Sequence, residues 1–374
     1  MRDAKKVKIL VTGGHVTPAI AVIEEIRRTF PDWEIILVGR SVSLEEERVS
    51  SEEMRLARLY KIRFLSISTG RVTRTLSFQT ILSVFKIPWG FVQALAVVSR
   101  EKPTLIASFG GYIALPVVVA GWLFGVPAVT HEQTRVPGLA NRLIGTVARK
   151  IAISFSDQLG HYPKSKTIYT GLPIRRGLFQ KLQRAPRGLE THLPIVFITG
   201  GSTGARSMNE LIFPLVGALT KKYMIVHQIG SVSFSRAKQI REHLPKSERV
   251  RYAIFRYIDM PEYAWILQHA HVVVGRSGAN TVGEVATLGN VALWIPLPWS
   301  AGDEQRENAL YLVRAGTSLI VDQQSLEPSV LVRSIERIES DYETFRIHAE
   351  TLANVMPRDG AAKVVDIMNQ VIRA

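Results

Sequence analysis

T-G-G-H at residues 12–15 and T-G-G-S-T-G-A at residues 199–205 each close a short apolar run and open a helical pattern. The runs are Val7 to Val11 in the first case and Ile195 to Thr199 in the second. A strand that stops at a glycine turn and leads into a helix aims free backbone N–H groups at one point. The positive end of the helix dipole points there too, so the position favours phosphate. Two such turns in one chain predict two α/β domains facing each other across a cleft.

Working outward, apolar β-type runs alternate with helical patterns along the whole chain. Strands are expected at Lys8–Val11, Glu34–Val38, Leu105–Ser108, Ala128–Thr130 and Lys150–Ser154. The second half adds Ile195–Thr199, Met224–Gln228, Arg251–Phe255, Val272–Val274, Val291–Ile295 and Ser318–Val321. Their nearly continuous Val, Ile and Leu content suits strands buried on both faces, hence parallel sheets with helical crossovers. Gly171 to Leu193 holds several prolines and basic residues without apolar periodicity, and reads as the connection between domains. The expected division is 1–171 for a first domain and 172–345 for a second. A terminal helix over 346–374 is expected to pack back on the first.

The 374 residues suffice for two domains, and 46% hydrophobic content supplies a core for each. There is no cysteine, which excludes disulfides, thiolate metal sites and a cysteine nucleophile. The charged start, Met1 to Lys8, runs straight into a strand, so no secretory leader is read and a cytosolic setting is expected. The uncharged stretch from Ser108 to Thr130 could span a bilayer by length, but Pro116, Pro127 and four glycines break it. It parses better as a glycine turn, a buried helix over 114–124 and a strand.

A net charge of +15 points to an anionic partner. Between Met54 and Arg100 no acidic residue stands against Arg55, Arg58, Lys61, Arg63, Arg71, Arg74, Lys86 and Arg100. Within that stretch Leu76, Phe78, Ile81, Leu82, Phe85 and Trp89 make an apolar run. Helical spacing of such residues usually means core. The same composition beside basic residues also describes an interfacial membrane anchor, and both readings stand at this point.

Several turns carry candidate chemistry. Gly200, Gly201, Ser202, Thr203, Gly204 and Ala205 let backbone approach a ligand and offer hydroxyls at a helix start, although a tight turn with an ordinary cap reads equally well. The segment lacks the lysine of a P-loop and the spacing of a dinucleotide fingerprint, which disfavours NTP hydrolysis and NAD binding. The run from Arg276 to Glu284 is a further glycine turn opening a helix. A carboxylate there can read vicinal ribose hydroxyls, or simply sit on a solvated face. Asp303 to Ala309 is a polar helix start whose Gln305 suits sugar hydroxyls, or a capped surface helix. In the first half His15 is the natural general base if it is not an ordinary loop histidine. Gly110, Gly111 and Tyr112 form another turn, and His131, Glu132 and Gln133 follow a buried strand.

Taken together these segments resemble the MurG family of glycosyltransferases. T-G-G-H-V-T-P-A, F-G-G-Y, H-E-Q, P-G-L-A-N-R, T-G-L-P-I-R, G-G-S-T-G-A-R, H-Q-I-G, R-S-G-A-N-T-V-G-E and D-E-Q-R-E-N-A occur in the family's order, from about Lys8 to Val321. The resemblance implies the GT-B fold, two Rossmann-like domains with parallel sheets and the active site between them. It implies transfer of N-acetylglucosamine from UDP-N-acetylglucosamine to undecaprenyl-pyrophosphoryl-N-acetylmuramoyl-pentapeptide (lipid I), giving lipid II for peptidoglycan. The transfer would be inverting, onto the muramoyl C4 hydroxyl.

The implied donor site comprises Gly200 to Ala205 on the diphosphate, Glu284 on the ribose hydroxyls, Tyr257 and Ile258 at uracil, and Ser277, Gly278 and Thr281 as further donor contacts. Gln305 and Thr134 would lie by the sugar, and Arg175 would help bind nucleotide. His15 would be the base, beside an acceptor site of Gly13, Gly14, Thr17, Gly110, Gly111, Tyr112, His131, Glu132 and Gln133. Leu76 to Trp89 would contact an anionic membrane surface on its cytoplasmic face, making the protein peripheral. Implied partners are UDP-N-acetylglucosamine, lipid I, the membrane and cell-wall or division proteins, with no nucleic acid, no cofactor and no obligatory metal. The chain departs from the family pattern in a shorter first loop, in Thr134 and Leu172 where asparagines are usual, and in Arg306 where some members carry glutamine. A transferase with another lipid acceptor, a UDP-sugar epimerase and a catalytically silent membrane module are the alternative readings.

Overall fold

The computed structural model describes residues 6–40, 51–70, 78–182, 184–189, 191–201, 204–325 and 327–374, without the side chains of 52, 78–86, 159, 301 and 325. The chain forms two compact units, Met1–Arg175 with Pro357–Ala374, and Arg176–Met356. The crossings thus fall at 175/176 and 356/357, against boundaries expected at 171/172 and 345/346, so the second unit keeps the whole of the helix that ends at Val355.

The first unit runs β1 (Lys8–Thr12), α1 (Val16–Thr29), β2 (Glu34–Gly39), α2 (Glu52–Leu59), β3 (Arg63–Ser66), α3 (Phe78–Glu101), β4 (Leu105–Ser108), α4 (Gly111–Leu123), β5 (Ala128–Glu132), α5 (Leu139–Val147), β6 (Lys150–Ile153) and β7 (Thr167–Tyr169). Among the described residues its strands form one parallel sheet in the order β3-β2-β1-β4-β5-β6-β7. Ile9, Leu10 and Val11 are fully buried because helices cover both faces, as the unbroken apolar runs require. Two strands went unforeseen, β3 and β7. Both are edge strands whose residues are only half-buried or exposed, so they lack the apolar run that marks the centre of the sheet.

The second unit runs β8 (Ile195–Thr199), α6 (Arg206–Ile212), α7 (Val216–Leu219), β9 (Met224–Gln228), α8 (Phe234–His243), α9 (Lys246–Arg249), β10 (Tyr252–Phe255), α10 (Met260–His269), β11 (Ala270–Gly275), α11 (Ala279–Leu288), β12 (Ala292–Trp294), α12 (Glu304–Arg314), β13 (Ser318–Ile320), α13 (Pro328–Ser340) and α14 (Tyr342–Val355). Its sheet is parallel in the order β10-β9-β8-β11-β12-β13. α15 (Gly360–Arg373) returns to the first unit, where Ala361, Val364, Val365 and Met368 are buried with Ala19, Ile20 and Ile23 of α1. Each such apolar side chain larger than alanine contributes about 1.5–3 kcal/mol over an exposed one.

The two strand orders position the site. In each sheet the first strand neighbours both the second and the fourth, so the order reverses between β1 and β4, and again between β8 and β11. Ligands of open parallel sheets bind outside the carboxyl ends of the strands at such a switch point. Both glycine turns, after β1 and after β8, stand there. Residues 108–130 form the end of β4, a turn, α4 and β5. Among the described residues no helix is long and apolar enough to cross a membrane.

Candidate active site

At the carboxyl edge of the first sheet, Thr12 pairs with Ser108, and Ser108 with Thr130. Their hydroxyls join the three strand ends. Phe109 N–H donates to Thr12 Oγ1 at 3.3 Å, and Thr130 Oγ1 donates to Ser108 Oγ at 3.2 Å. The turns beyond them pack backbone on backbone, since a Cβ on Gly14 would lie 1.8 Å from the Gly110 carbonyl oxygen. Gly110 has φ 74° and ψ −167°, a conformation essentially reserved for glycine. The structure thus brings Gly13, Gly14, Gly110 and Gly111 together at the heads of α1 and α4. Neither helix carries an acidic residue in its first turn.

His15 is the N-cap residue of α1, yet its side chain makes no capping bond. Burial holds its imidazole down to about 4, so it is neutral near pH 7. Thr17 and Tyr112 are the second residues of α1 and α4, in the first turn of each helix, half-buried. His131 is buried with Nε2 3.2 Å from Ser154 Oγ, its ring 6.0 Å from that of Phe109. Burial, and the neighbouring His15, hold it down to about 3.

Glu132 lies deeper, with both carboxylate oxygens engaged. Oε1 accepts from Thr134 N–H at 3.0 Å and the Thr134 hydroxyl at 2.8 Å. Oε2 accepts from Asn141 Nδ2 at 2.7 Å and Tyr162 OH at 3.1 Å. Burial pushes its pKa up, and these donors pull it back. The structure therefore places Thr134 in the first unit with its hydroxyl turned inward, and Gln133 beside it, also buried. Asn141 packs on Gly110, where a Cβ would meet its Oδ1 at 2.4 Å. The P-G-L-A-N-R segment thus underpins the second turn.

In the second unit the turn after β8 is wound tightly. Gly201 N–H donates to Thr199 Oγ1 at 3.1 Å, Thr199 Oγ1 donates to Gln228 Oε1 at 3.0 Å, and Gly204 N–H donates to the Gly201 carbonyl at 3.1 Å. Gly201 and Gly204 have φ of 87° and 78°. Ser202 and Thr203 lie outside the described residues. Ala205 is the N-cap of α6, without a side-chain cap and without acid in the first turn. As in any helix, the first N–H groups of α6 have no intrahelical acceptor.

Around this turn stand residues from neighbouring strand ends. Glu284 on α11 is 6% exposed and accepts from Tyr263 OH at 2.6 Å. Ser277 donates its hydroxyl to the Gln305 carbonyl at 2.7 Å, and Asn308 Nδ2 donates to the Ser277 carbonyl at 3.2 Å. Gln305 Oε1 accepts from Leu297 N–H at 3.0 Å, which fixes the amide with Nε2 as its donor end. Gly278 caps α11 with Thr281 half-buried behind it. Ile258 is buried and Tyr257 half-buried after β10. Arg306 pairs with Asp322. Arg175 ends the first segment of the first unit and lies by Tyr60, whose phenol is pushed up by burial and by Glu24, with Arg175 offsetting part of the rise.

Arg276, at the head of the R-S-G-A-N-T-V-G-E motif, is a functional candidate that no sequence pattern marks. Its guanidinium is buried, donating to the Ile295 carbonyl at 2.8 Å, the Pro296 carbonyl at 3.1 Å, Ser207 Oγ at 2.8 Å and Gln323 Oε1. Burial lowers its pKa to about 10, so it stays a cation. These four acceptors are neutral, and a buried cation is ordinarily paired with an anion. Tyr263, Asn141 and Tyr162 were also missed.

Two family models match in sequence. The one described as Glycosyltransferase family 28 N-terminal domain matches residues 11–153, and the one described as Glycosyltransferase family 28 C-terminal domain matches residues 195–371. The UDP-N-acetylglucosamine–N-acetylmuramyl-(pentapeptide) pyrophosphoryl-undecaprenol N-acetylglucosamine transferase of Treponema denticola is 32% identical over 332 residues, 86% of this chain and 84% of its own length. The chain belongs to the MurG family of glycosyltransferases. The enzyme of the same name from Pediococcus pentosaceus is 30% identical over 364 residues, covering 96% of this chain and 97% of its own. The crystal structure of Acinetobacter baumannii MurG superimposes with a TM-score of 0.69 at 24% identity, over 97% of this chain and 99% of that one. The fold is GT-B, and as a MurG family member the protein is a hexosyltransferase.

Proposed function

We propose that the protein transfers N-acetylglucosamine from UDP-N-acetylglucosamine to the C4 hydroxyl of the muramoyl sugar of lipid I, forming lipid II with inversion. The observation that carries the reading is that each sheet ends, at its switch point, in a glycine turn feeding an acid-free helix start. Each turn supplies a place for a diphosphate.

The donor diphosphate is assigned to the head of α6, with the buried charge of Arg276 one layer behind it. Glu284 takes the ribose hydroxyls, Tyr257 and Ile258 the uracil, and Gln305 the sugar. Arg175 and Thr134 are held in the first unit as described, and their contact with the donor remains part of this proposal. The acceptor diphosphate is assigned to the heads of α1 and α4. Bound there, its charge raises the His15 pKa toward working pH, and neutral His15 takes the hydroxyl proton as that oxygen attacks the anomeric carbon. UDP leaves as charge develops on its β-phosphate, which preorganised N–H groups stabilise at about 3–4 kcal/mol each. No step calls for a metal.

Membrane docking is assigned to α3. Trp89 is 58% exposed and Val92 53%. Leu76 lies outside the described residues, and Phe78, Ile81, Leu82 and Phe85 fall on α3 with their side chains outside them. Of the surrounding cations, Arg63 and Arg100 are already engaged by Glu101. The assay that tests the function supplies UDP-N-acetylglucosamine with lipid I in detergent, with and without EDTA. Expected are lipid II and UDP released only when lipid I is present, at a rate EDTA leaves unchanged. UDP-sugar conversion without acceptor, or transfer only to another lipid, would overturn the proposal.

A further inference from the structure

Behind the turn at 200–205 runs a chain of three fully buried polar side chains that the reaction itself does not use. His227 on β9 lies with Nδ1 3.1 Å from Tyr252 OH and Nε2 3.1 Å from Asn209 Oδ1. Asn209 Nδ2 donates to the Ile229 carbonyl at 2.9 Å. Asn209, His227 and Tyr252 all have zero solvent exposure.

The direction of every bond follows from the last one. A carbonyl can only accept, so the Asn209 amide presents Nδ2 to Ile229 and Oδ1 to His227. His227 Nε2 must therefore carry the proton, which leaves Nδ1 as an acceptor for Tyr252 O–H. Burial holds this imidazole down to about 3, so the neutral tautomer persists at any working pH. The chain reads Tyr252 to His227 to Asn209 to Ile229, each group donating to the next.

Its terminus is the seat of the turn. A Cβ on Gly204 would lie 2.2 Å from the Ile229 oxygen and 2.8 Å from Gly230 Cα, so Gly204 rests directly on that peptide. Asn209 also donates its own N–H to the Ala205 carbonyl at 2.9 Å. Gln228, the last residue of β9 and the one before Ile229, accepts from Thr199 Oγ1 and so holds the other end of the turn.

We infer that Asn209, His227 and Tyr252 are positioning residues that set the height of Gly204 and Ala205 at the head of α6, and hence the fit of the diphosphate rather than of the nucleoside. The inference rests on the donor assignment above. It separates these residues from ordinary core, because loss of a positioning role changes affinity for UDP without changing affinity for uridine.

The test measures dissociation constants of UDP and uridine by calorimetry on the full chain, with folding checked by circular dichroism. His227→Leu breaks the chain at its middle. The UDP constant is expected to rise about tenfold, the loss of one or two phosphate hydrogen bonds, with uridine unchanged. His227→Gln can still donate through its amide nitrogen and accept through its oxygen, and is expected to restore the wild-type ratio. If His227→Leu does not fold, Tyr252→Phe carries the test, with a smaller rise confined to UDP. Folded variants that keep the wild-type ratio of the two constants, or that lose UDP and uridine equally, would overturn the inference. A wild-type protein that binds uridine as tightly as UDP would overturn the donor assignment and the inference together.

Discussion

The Tyr263 hydroxyl donates a 2.6 Å hydrogen bond to Oε2 of Glu284. Tyr263 stands on α10 with its ring edge-on to Phe197, 5.9 Å between centroids, so a rigid aromatic fixes the rotamer of a nearly buried carboxylate. Such a carboxylate is set to accept from a pair of vicinal hydroxyls without first being ordered. Glu284→Ala is expected to raise the donor KM about a hundredfold by removing two charge-assisted hydrogen bonds. Tyr263→Phe, which only loosens the carboxylate, is expected to raise it about three- to tenfold with kcat nearly unchanged. Steady-state kinetics with varied UDP-N-acetylglucosamine reads both. Equal effects on kcat would place Glu284 at the chemical step instead.

His15 separates binding from chemistry in a different way. His15→Ala is expected to lower kcat by about 10²–10⁴ while UDP affinity is kept. Because burial holds the free imidazole at about 4, kcat/KM for lipid I should stay on its plateau down to pH 5.5. The acid limb of kcat should lie higher, since the bound acceptor diphosphate raises the same group. A kcat/KM limb at the ordinary histidine value of about 6.5 would contradict the assignment.

Stability should also follow the buried histidines. His131 and His227 are both held to about 3, below their values in an unfolded chain. Between about pH 6.5 and 3 the unfolded chain binds more protons, so stability falls as pH falls through that window. Thermal melts should show His227→Gln with a shallower decline from pH 6.5 to 4 than the parent. An unchanged slope would show that this imidazole is not held neutral by the fold.

The Glu132 cluster makes a prediction of opposite character. Glu132→Gln puts an amide NH₂ against one of the donor groups of Thr134, Asn141 or Tyr162. That mismatch should destabilise the first unit by about 1–3 kcal/mol in denaturant titration. UDP affinity should be unaffected, because the donor turn belongs to the other unit. A neutral substitution would mean that the carboxyl group is protonated and already donating.

For the membrane face, Trp89→Ser together with Phe85→Ser should weaken binding to anionic vesicles several-fold without loss of folding. Cosedimentation with phosphatidylglycerol vesicles reads this directly. Unchanged binding would overturn the assignment of membrane docking to α3.

Much of the fold was legible because the central strands are buried on both faces. Ile9 to Val11 and Ile195 to Ile198 leave no solvent side to demand a polar residue, so strand and turn stand out as blocks. β3 and β7 were not legible, since an edge strand such as R-F-L-S needs no apolar run. Among site residues, glycines were readable where two backbones touch, as at Gly14 and Gly110. Tyr263, Arg276 and the Asn209, His227 and Tyr252 chain were not. Each matters through a partner far along the chain, 21 residues in the case of Tyr263 and Glu284, and periodicity carries no such information. The same limit hid the inward turn of Thr134, whose hydroxyl lies 2.8 Å from Glu132 Oε1 and 2.8 Å from the Val136 carbonyl oxygen.

The most direct measurement is a structure of the protein with uridine diphosphate bound. Phosphate oxygens are expected within hydrogen-bond reach of the first N–H groups of α6, and both ribose hydroxyls on the carboxylate of Glu284. Phosphates held elsewhere by other side chains, with that helix start vacant, would contradict the donor assignment.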